Sequence, residues 1–336
     1  MKYRRLGRSN LQVSVLCLGS MMFADQTDAE SAARIVASAR DHGVNFVDTA
    51  DVYSRGGSER MLGPLLRHDR DRWVLATKVG NRMGEEPNMA HYSRKWVRRA
   101  LQDSLARLGT DYVDLYYLHR DFDAENYDET LRAIDDLLRA GSIRYWGLSN
   151  FRGWRIAEIV RVAEQIGMPG PVVCQPYYNL LNRGPEVEIL PACSHYGLGV
   201  VPYSPIARGI LSGKYLPGET PSPDSRAGRR DKRMLETEWR PESLDVAQQL
   251  ASHAQARGTS LSRFAVAWVL ANPHVSSVIA GPRTLEQWED YFGALEFDWG
   301  AEDEAAVDAL VTPGHASTPG YHDPQYPFYG RIRRLA

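Results

Sequence analysis

The sequence is poor in cysteine, nearly neutral and free of long apolar runs, and each of these absences excludes a class of protein. The three cysteines in 336 residues, Cys17, Cys174 and Cys193, are odd in number and widely spaced. They predict neither a disulfide framework nor a thiolate metal site. The formal net charge of −2 gives no reason to expect nucleic acid or an anionic membrane as a partner. No window approaches the roughly 20 apolar residues of a membrane span, and residues 1–8 carry no signal-peptide core. We therefore expect a cytoplasmic protein.

The chain also lacks the glycine-rich motif that opens a doubly wound dinucleotide-binding fold. Its nearest approach, Gly197–Gly199, is followed by Val200–Pro202, where the motif would need the start of a helix. A sheet of that kind is therefore disfavoured.

What the sequence does contain is a regular alternation of short apolar runs and longer amphipathic segments. The predicted strands are Val13–Gly19, Asn45–Asp48, Arg72–Lys78, Tyr112–His119, Ile143–Ser149, Val172–Gln175, Val200–Tyr203 and Val275–Ala280. The predicted helices are Asp28–His42, Glu59–Leu66, Ser93–Leu108, Asp128–Ala140, Trp154–Ile166, Pro185–His195 and one that begins near Thr284. Eight βα units predict an α/β fold, a closed (β/α)8 TIM barrel that forms one domain over residues 1–336.

Three segments depart from a plain barrel. Residues 1–12 predict a β-hairpin that closes the bottom of the barrel. Residues 211–241 are dense in Pro, Gly and Arg without a clear period, and they predict a long loop, either a lid or disordered. A basic cluster in this loop is compatible with a solvated surface or with an anion-binding one: Arg226, Arg229, Arg230, Lys232 and Arg233. The tail from about residue 312 carries several aromatic residues and either covers the barrel mouth or packs outside it: Tyr321, Tyr326, Phe328 and Tyr329.

Candidate catalytic residues follow from the rule that the active site of such a barrel lies at the C-terminal ends of its strands. Asp48, Lys78 and His119 end three predicted strands, and Tyr53 lies in the loop just beyond Asp48. Alone, each residue has an ordinary structural role: a packed tyrosine, an exposed lysine, a turn-capping aspartate or a hydrogen-bonded histidine. Their convergence on one mouth favours a catalytic site.

Together these four groups suit the donation of a proton to an oxygen on which negative charge develops. A free tyrosine titrates at about 10, and a neighbouring ammonium lowers that pKa. We therefore expect Lys78 to lower the pKa of Tyr53 and Asp48 to keep Lys78 charged. A neutral His119 can donate a hydrogen bond to the same oxygen.

Several stretches, in order and at appropriate spacing, resemble the aldo-keto reductase family from Tyr3 to about Leu295. They are Tyr3–Ser9, Asn45–Tyr53, Gly57–Glu59, Ala76–Lys78, Asp111–Arg120, Gly147–Phe151 and Tyr203–Gly209. The resemblance extends to the branch that also includes potassium-channel β subunits. It implies that Asp48, Tyr53, Lys78 and His119 are the catalytic tetrad, with Tyr53 as general acid. It also implies NADPH/NADP+ as cofactor and a small carbonyl compound as substrate.

The same resemblance implies a set of cofactor contacts. Ser149, Asn150 and Gln175 would hold the nicotinamide carboxamide, with Tyr203 stacked on the ring. Arg283 would contact the 2′-phosphate, which favours NADPH over NADH. The full set that the resemblance implies is Gly19, Ser20, Met21, Asp48, Ser149, Asn150, Gln175, Tyr203, Ser204, Pro205, Ile206, Gly209, Lys214, Gly281, Arg283 and Gln287. In one departure, Tyr291 stands where the family commonly has an asparagine that contacts adenine.

Three functions stay open. The first is the NADPH-dependent, reversible reduction of an aldehyde or ketone. The second is an NADPH-binding regulatory subunit with little turnover, similar to potassium-channel β subunits, which lack a histidine at the position of His119. The third is a barrel aldolase that uses Lys78 as a Schiff-base amine. Met21, Met22, Phe23, Tyr92 and the aromatic residues of the tail are candidates for an apolar substrate pocket. The substrate is left open between an aromatic aldehyde, a sugar-derived carbonyl and a bulky cyclic ketone, and the oligomeric state is left open as well.

Overall fold

A computed structural model describes residues 1–123 and 125–327, and the secondary structure alternates along the chain as expected. The strands of the described residues are β1 (Tyr3–Arg5), β2 (Gln12–Ser14), β3 (Leu16–Gly19), β4 (Phe46–Asp48), β5 (Val74–Val79), β6 (Val113–Leu118), β7 (Ile143–Ser149), β8 (Val173–Gln175), β9 (Gly199–Val200) and β10 (Val278–Ala280).

The helices lie mainly between these strands. They are α1 (Ala29–Asp41), α2 (Gly57–Leu66), α3 (Arg94–Leu108), α4 (Tyr127–Arg139), α5 (Gly153–Gln165), α6 (Ile189–Tyr196), α7 (Lys232–Thr237), α8 (Pro241–Ala256), α9 (Leu261–Ala271), α10 (Leu285–Asp290) and α11 (Ala301–Leu310). Short 3₁₀ turns cover Tyr53–Gly56, Arg67–Arg72, Gly184–Glu186, Ala207–Ser212 and Tyr291–Leu295. Among the residues described, none of these helices combines the length and the apolar character that crossing a membrane requires.

Eight of the strands form one curled parallel sheet in the order β10-β3-β4-β5-β6-β7-β8-β9. Strands that are consecutive in the chain are therefore neighbours in the sheet, as expected where helices make each parallel crossover. Backbone hydrogen bonds also join the two ends of this order: the Val200 amide donates to the carbonyl of His274 (3.3 Å), and the Ser276 amide donates to the carbonyl of Val200 (2.8 Å).

The predicted N-terminal hairpin is present as the antiparallel pair β1 and β2. Its turn passes so close to the sheet that position 7 must be glycine. Gly7 has a φ of +56°, and a Cβ there would lie 2.4 Å from the Gly199 nitrogen and 2.5 Å from the Val172 oxygen. The hairpin therefore lies against the starts of β8 and β9, opposite the strand ends that carry the candidate site.

Local signals in the sequence account for several of the helix ends. Ser93 caps α3, where its hydroxyl accepts a hydrogen bond from the Trp96 amide at 3.2 Å. Asp28 caps α1 in the same way, and Gly141 follows α4 with a φ of +71°. These residues satisfy orphan backbone groups or adopt the left-handed conformation that ends a helix.

Some predicted boundaries are wrong. The predicted strand Val13–Gly19 is divided at Val15 into two strands. The first part belongs to β2, which pairs with β1 in the hairpin, and the second part is β3, which pairs with β10 in the sheet. Only the last three residues of the strand predicted over Val275–Ala280 form β10. Of the strand predicted over Val200–Tyr203, only Val200 lies in a strand, at the end of β9.

The segment 211–241 is not a plain loop, because α7 forms within it. Asp231 caps that helix by accepting from the Met234 amide at 2.8 Å. The helix predicted from Pro185 begins at Ile189, after a separate 3₁₀ turn.

The apolar side chains of the sheet lie in two layers. One packs hairpin residues such as Leu6 and Val13 with Phe46, Leu115 and Tyr117 of the strands. The other, larger layer lies between the strands and the surrounding helices. All six residues of β5 are buried, as expected for a parallel strand that is covered on both faces.

Candidate active site

A cavity of about 520 Å³ lies at the C-terminal ends of the sheet strands. Its wall includes Asp48 at the end of β4, Tyr53 beyond it and His119 just after β6. The structure therefore brings three of the four candidate catalytic residues into one cavity. The fourth, Lys78 on β5, is fully buried directly behind them.

Lys78 connects the candidate residues. Its ammonium forms a short contact with the carboxylate of Asp48 and donates to the Thr49 carbonyl at 2.8 Å and to the Tyr53 hydroxyl at 3.2 Å. Its three donors thus have three acceptors, which a buried ammonium requires. The other Asp48 oxygen accepts from the Gln175 side chain at 2.9 Å, so the carboxylate is fixed from two sides.

The net shift of the Tyr53 pKa is opposite to the effect of Lys78 that the sequence predicts. Burial raises the pKa of Tyr53 above its ordinary value, and Asp48 raises it further, while Lys78 opposes both and does not outweigh them. Lys78 lowers the pKa as expected, but burial of the hydroxyl disfavours the charged phenolate and exceeds that effect. Tyr53 is consequently protonated at neutral pH.

The pKa values of Lys78 and His119 are shifted in opposite directions. Burial lowers the pKa of Lys78, but Asp48 and Tyr53 outweigh it and raise the pKa above its ordinary value, so the amine stays charged. Burial lowers the pKa of His119 well below its ordinary value, and the charges of Lys78 and Arg120 lower it further. A neutral imidazole thus lies edge-on to the Tyr53 ring, with the centroids 5.9 Å apart.

A tight turn directs Tyr53 into the cavity. Ser54 and Arg55, the two residues after it, have φ angles of +48° and +51°, an uncommon conformation for residues other than glycine. The Ser54 hydroxyl donates to the Phe23 carbonyl at 3.1 Å and holds the turn against a neighbouring loop. Backbone strain of this kind often accompanies functional sites, where the surrounding contacts maintain it.

The residues predicted to hold a carboxamide form a hydrogen-bonded group. Asn150 has a φ of +60°, and its side-chain nitrogen donates to the His119 carbonyl at 3.0 Å. The Tyr203 hydroxyl donates to the Asn150 side-chain oxygen at 2.8 Å. Ser149 donates through its hydroxyl to the Gln175 carbonyl at 3.0 Å. Tyr203 also stacks on Tyr177, with the ring centroids 5.7 Å apart.

A further part of the cavity wall is basic. Arg226 and Arg229 from the segment 211–241 line it together with Arg283, which follows β10. Burial lowers the pKa of Arg226, and the neighbouring charges of Arg208, Arg229 and Arg283 add to this. Arginines that face one another across a cavity form a suitable site for a phosphate group. Of the basic cluster, Arg226, Arg229 and Arg233 line the cavity. The anion-binding interpretation fits Arg226 and Arg229, whereas Arg233 is paired with Glu236 and Asp323.

Most of the predicted cofactor residues line the same cavity. They are Gly19, Met21, Asp48, Ser149, Asn150, Gln175, Tyr203, Ser204, Pro205, Ile206, Gly209, Lys214, Gly281, Arg283 and Gln287. Ser20 does not: it is fully buried, and its hydroxyl bonds the Asp48 carbonyl and the Ser58 hydroxyl behind the wall. Tyr291, the departure noted in the sequence, lines the cavity and is largely buried.

Of the substrate-pocket candidates outside the tail, Met21 and Met22 line the cavity. Phe23 and Tyr92 belong to the core instead. Tyr92 donates its hydroxyl to the Arg120 carbonyl at 2.6 Å and so supports the loop after β6.

The C-terminal tail covers part of the mouth, which decides between the two positions that the sequence left open. Gln325 and Tyr326 line the cavity. The Arg120 guanidinium donates to the Gln325 carbonyl at 2.8 Å, and Arg233 pairs with Asp323 at 2.5 Å. The tail thus connects the loop after β6 to the segment that contains α7. Phe328 and Tyr329 lie outside the described residues.

Asn81 and Arg208 are among the polar wall residues that the sequence does not predict. Asn81 lines the cavity next to His119, and Arg208 lines it with a φ of +52°. The signal for Asn81 was present, since it follows the end of β5 by two residues, on the face where such a fold carries its site. Arg208 gave no such signal, because its position depends on the irregular 3₁₀ turn over Ala207–Ser212.

Comparison with known proteins agrees with this geometry. The family model described as "Aldo/keto reductase family" matches residues 15–312. A probable voltage-gated potassium channel subunit beta from Oryza sativa subsp. japonica is 38% identical over 303 residues, 88% of this chain and 92% of that protein. An uncharacterized oxidoreductase, YrpG, from Bacillus subtilis (strain 168) is 38% identical over 308 residues, 88% of this chain and 91% of that protein. L-glyceraldehyde 3-phosphate reductase from Escherichia coli O157:H7 is 32% identical over 324 residues, 94% of this chain and 93% of that protein.

Proposed function

The chain belongs to the aldo/keto reductase family, and from this premise we propose that it reversibly reduces an aldehyde or ketone to an alcohol with NADPH. The observation that carries the proposal is the Tyr53 hydroxyl, which lies on the cavity wall and accepts from a buried, charged Lys78 at 3.2 Å. We infer further that the sheet is a closed (β/α)8 barrel of one domain, and the hydrogen bonds between its two edges support this.

The residues present fit NADPH. Asn150, Gln175 and Ser149 supply amide and hydroxyl groups to the cavity wall, and Arg226 and Arg283 supply cations. This combination matches a cofactor with a neutral carboxamide and an anionic 2′-phosphate. When bound, NADPH supplies the hydride that reduces the carbonyl carbon.

The chain's own residues supply the proton and the charge stabilisation. Tyr53 gives its hydroxyl proton to the carbonyl oxygen, and the Lys78 ammonium stabilises the phenolate that remains. Asp48 keeps Lys78 charged and in place. His119, neutral in this site, donates a hydrogen bond to the same oxygen and orients the substrate. These groups lie at strand ends or in the turns just beyond them, where their hydrogen bonds hold them in place.

The substrate pocket is mixed in character. Met21, Met22 and Tyr326 present apolar surface to the cavity, and Asn81 and Arg233 present polar groups. We propose a small-molecule carbonyl compound as substrate, held with its oxygen towards Tyr53. Met21 and Tyr326 come from segments outside the sheet, where specificity is commonly determined.

The proposal is tested with purified protein, NADPH and a panel of aldehydes and ketones, by following the loss of reduced-cofactor absorbance. Tyr53→Phe should lower kcat by about 10²–10⁴-fold, the range of a lost general acid, with NADPH affinity unchanged by fluorescence titration. Tyr3→Phe is the matched control, because that hydroxyl donates to the Gly43 carbonyl in the N-terminal region. A fully active Tyr53→Phe variant would refute the mechanism.

A second candidate function is an NADPH-binding regulatory subunit with little turnover. The similarity to proteins named as potassium channel β subunits favours it. His119, which faces Tyr53 across the cavity, favours the enzyme instead. Absence of turnover with every carbonyl compound, combined with NADPH binding and a stable complex with a channel, would decide for the subunit.

The aldolase alternative does not fit the site. A Schiff base requires a neutral, accessible amine, whereas Lys78 is fully buried and the raised pKa keeps it charged. Borohydride treatment with a carbonyl substrate in the absence of NADPH should therefore leave no adduct on Lys78.

A further inference from the structure

Asn81 contacts the imidazole ring of His119. Its carboxamide nitrogen lies 3.1 Å from Nδ1 of the ring. Both residues line the cavity. The backbone of His119 is held separately, by its amide to the Val79 carbonyl at 2.9 Å and by Asn150 to its own carbonyl at 3.0 Å. The contact with Asn81 therefore concerns the ring alone.

A glycine next to Asn81 makes this position possible. Gly80 has a φ of +131°, and a Cβ there would lie 2.6 Å from the Tyr92 ring. The Gly80 carbonyl accepts from the His91 amide at 2.7 Å, which holds the loop at this point. The chain thus turns directly after β5 and brings Asn81 to His119, 38 residues away in sequence.

A neutral imidazole carries one proton, and the nitrogen that bears it decides what the ring can do. If Nδ1 accepts from the Asn81 amide, the proton resides on Nε2. If Nδ1 carried the proton, Nε2 would be an acceptor and would repel the lone pairs of a carbonyl oxygen. The charged and titratable groups around the ring are Lys78 from β5, Tyr53 beyond β4 and Arg120 beside it. Lys78 and Arg120 disfavour the doubly protonated ring, so the choice between the two neutral forms matters.

We propose that Asn81 is a positioning residue that donates to Nδ1 and holds the proton of His119 on Nε2, where it can bond the carbonyl oxygen of the substrate. The proposal rests on the reductase function above. Asn81 itself does not touch the reacting atoms. Its effect reaches them through the orientation and the tautomer of the histidine, as the partners of histidines do in other catalytic sites.

The first test measures the proton directly. In protein labelled with ¹⁵N-histidine, the signals of His119 are assigned by their loss in His119→Gln, and the two ring nitrogens are distinguished by their shifts and couplings. The result expected at pH 7.5 is a protonated Nε2 and an unprotonated Nδ1. A proton on Nδ1 would overturn the proposal, whether or not the protein reduces any carbonyl compound. This measurement therefore separates a failure of the inference from a failure of the proposed function.

The second test reverses the direction of the hydrogen bond between residue 81 and Nδ1 of His119. In Asn81→Asp, a carboxylate of nearly the same shape can only accept, so it draws the proton to Nδ1 and stabilises the doubly protonated ring. At pH 7.5 we expect kcat to fall by about 10²-fold, the effect of losing one donor to a developing oxyanion. Activity should return as the pH falls, because the imidazolium carries a proton on both nitrogens. Asn81→Ala, which imposes neither tautomer, should lose about tenfold or less and keep the pH profile of the parent.

The controls isolate the tautomer from folding and charge. Asn126→Asp makes the same chemical change at an exposed helix cap, and it should leave kcat and the pH profile unchanged. Circular dichroism and NADPH affinity should be unchanged in both Asn81 variants. If Asn81→Asp lost no more activity than Asn81→Ala, or showed no recovery at low pH, the tautomer would not depend on Asn81 and the proposal would be wrong.

Discussion

Removing the ammonium of Lys78 should destabilise the protein strongly. Lys78 is 0% exposed, and the Asp48 side chain is 3% exposed. In Lys78→Met the carboxylate keeps one donor, the Gln175 amide at 2.9 Å, and has no compensating charge. Breaking a buried ion pair by removing one partner costs about 3–5 kcal/mol. We expect a loss of that size in the free energy of unfolding.

The pairwise origin of this cost is tested with a double-mutant cycle. Asp48→Asn leaves the ammonium without a counter-ion and should be destabilising as well. In Lys78→Met/Asp48→Asn both charges are absent, so the double variant should lose less stability than the sum of the single variants by at least about 2 kcal/mol. Equilibrium urea unfolding, followed by circular dichroism at pH 7.5, measures all three variants.

Lys232→Met provides the control for replacing a lysine. Its side chain is 84% exposed, and surface substitutions usually change stability by less than about 0.5 kcal/mol. If Lys78→Met cost no more than this control, the ammonium would not be holding a buried carboxylate. If the two single effects were additive, the buried pair would not be the source of the loss. Either result would refute the reasoning.

Three further predictions concern the cofactor, the pH dependence and the tail. In a fluorescence titration, Arg283→Ala should weaken NADPH binding by roughly 10–150-fold, the equivalent of a lost charged hydrogen bond. NADH binding should be almost unchanged. Equal losses for both cofactors would argue against a 2′-phosphate contact. Folding lowers the pKa of His119, so the unfolded state binds more protons than the folded state below about pH 6.5. The urea concentration at the midpoint of unfolding should therefore be lower at pH 5.5 than at pH 7.5. This decrease should be smaller in His119→Gln. The same slope in both proteins would contradict a buried neutral histidine. Asp323→Ala removes the carboxylate that pairs with Arg233 at 2.5 Å. It should raise KM for the carbonyl substrate several-fold and speed proteolysis of the tail without changing NADPH affinity. An unchanged KM would show that the tail is not a wall of the substrate pocket.

The parts of the fold that are encoded locally could be predicted from the sequence. The alternation of strands and helices, the cap at Ser93 and the glycine stop at Gly141 depend on neighbouring residues, and the structure contains all of them. The division of Val13–Gly19 depends on which partner each half pairs with. That choice is tertiary, and the apolar run itself is the same in both cases.

In the candidate site, too, some features depend on local sequence and others on tertiary contacts. Asp48, Tyr53, Lys78 and His119 were found because strand ends meet at one face of a parallel sheet. The sign of the Tyr53 pKa shift could not be found in this way, because it depends on how completely the cavity excludes water. The position of Tyr326 was equally inaccessible, since it depends on the pairing of Asp323 with Arg233, 90 residues away in the chain.

The tail over the cavity mouth has a consequence for the evolution of the protein. Tyr326 and Gln325 are held by a few side-chain contacts rather than by the sheet, whereas Lys78 and Asp48 are embedded in the strands. Mutations in the tail should therefore cost little stability, and mutations at the strand ends should cost much. Under the proposed function, drift in this one peripheral segment would change which carbonyl compounds the descendants of such a gene accept, while the residues at the strand ends stay the same.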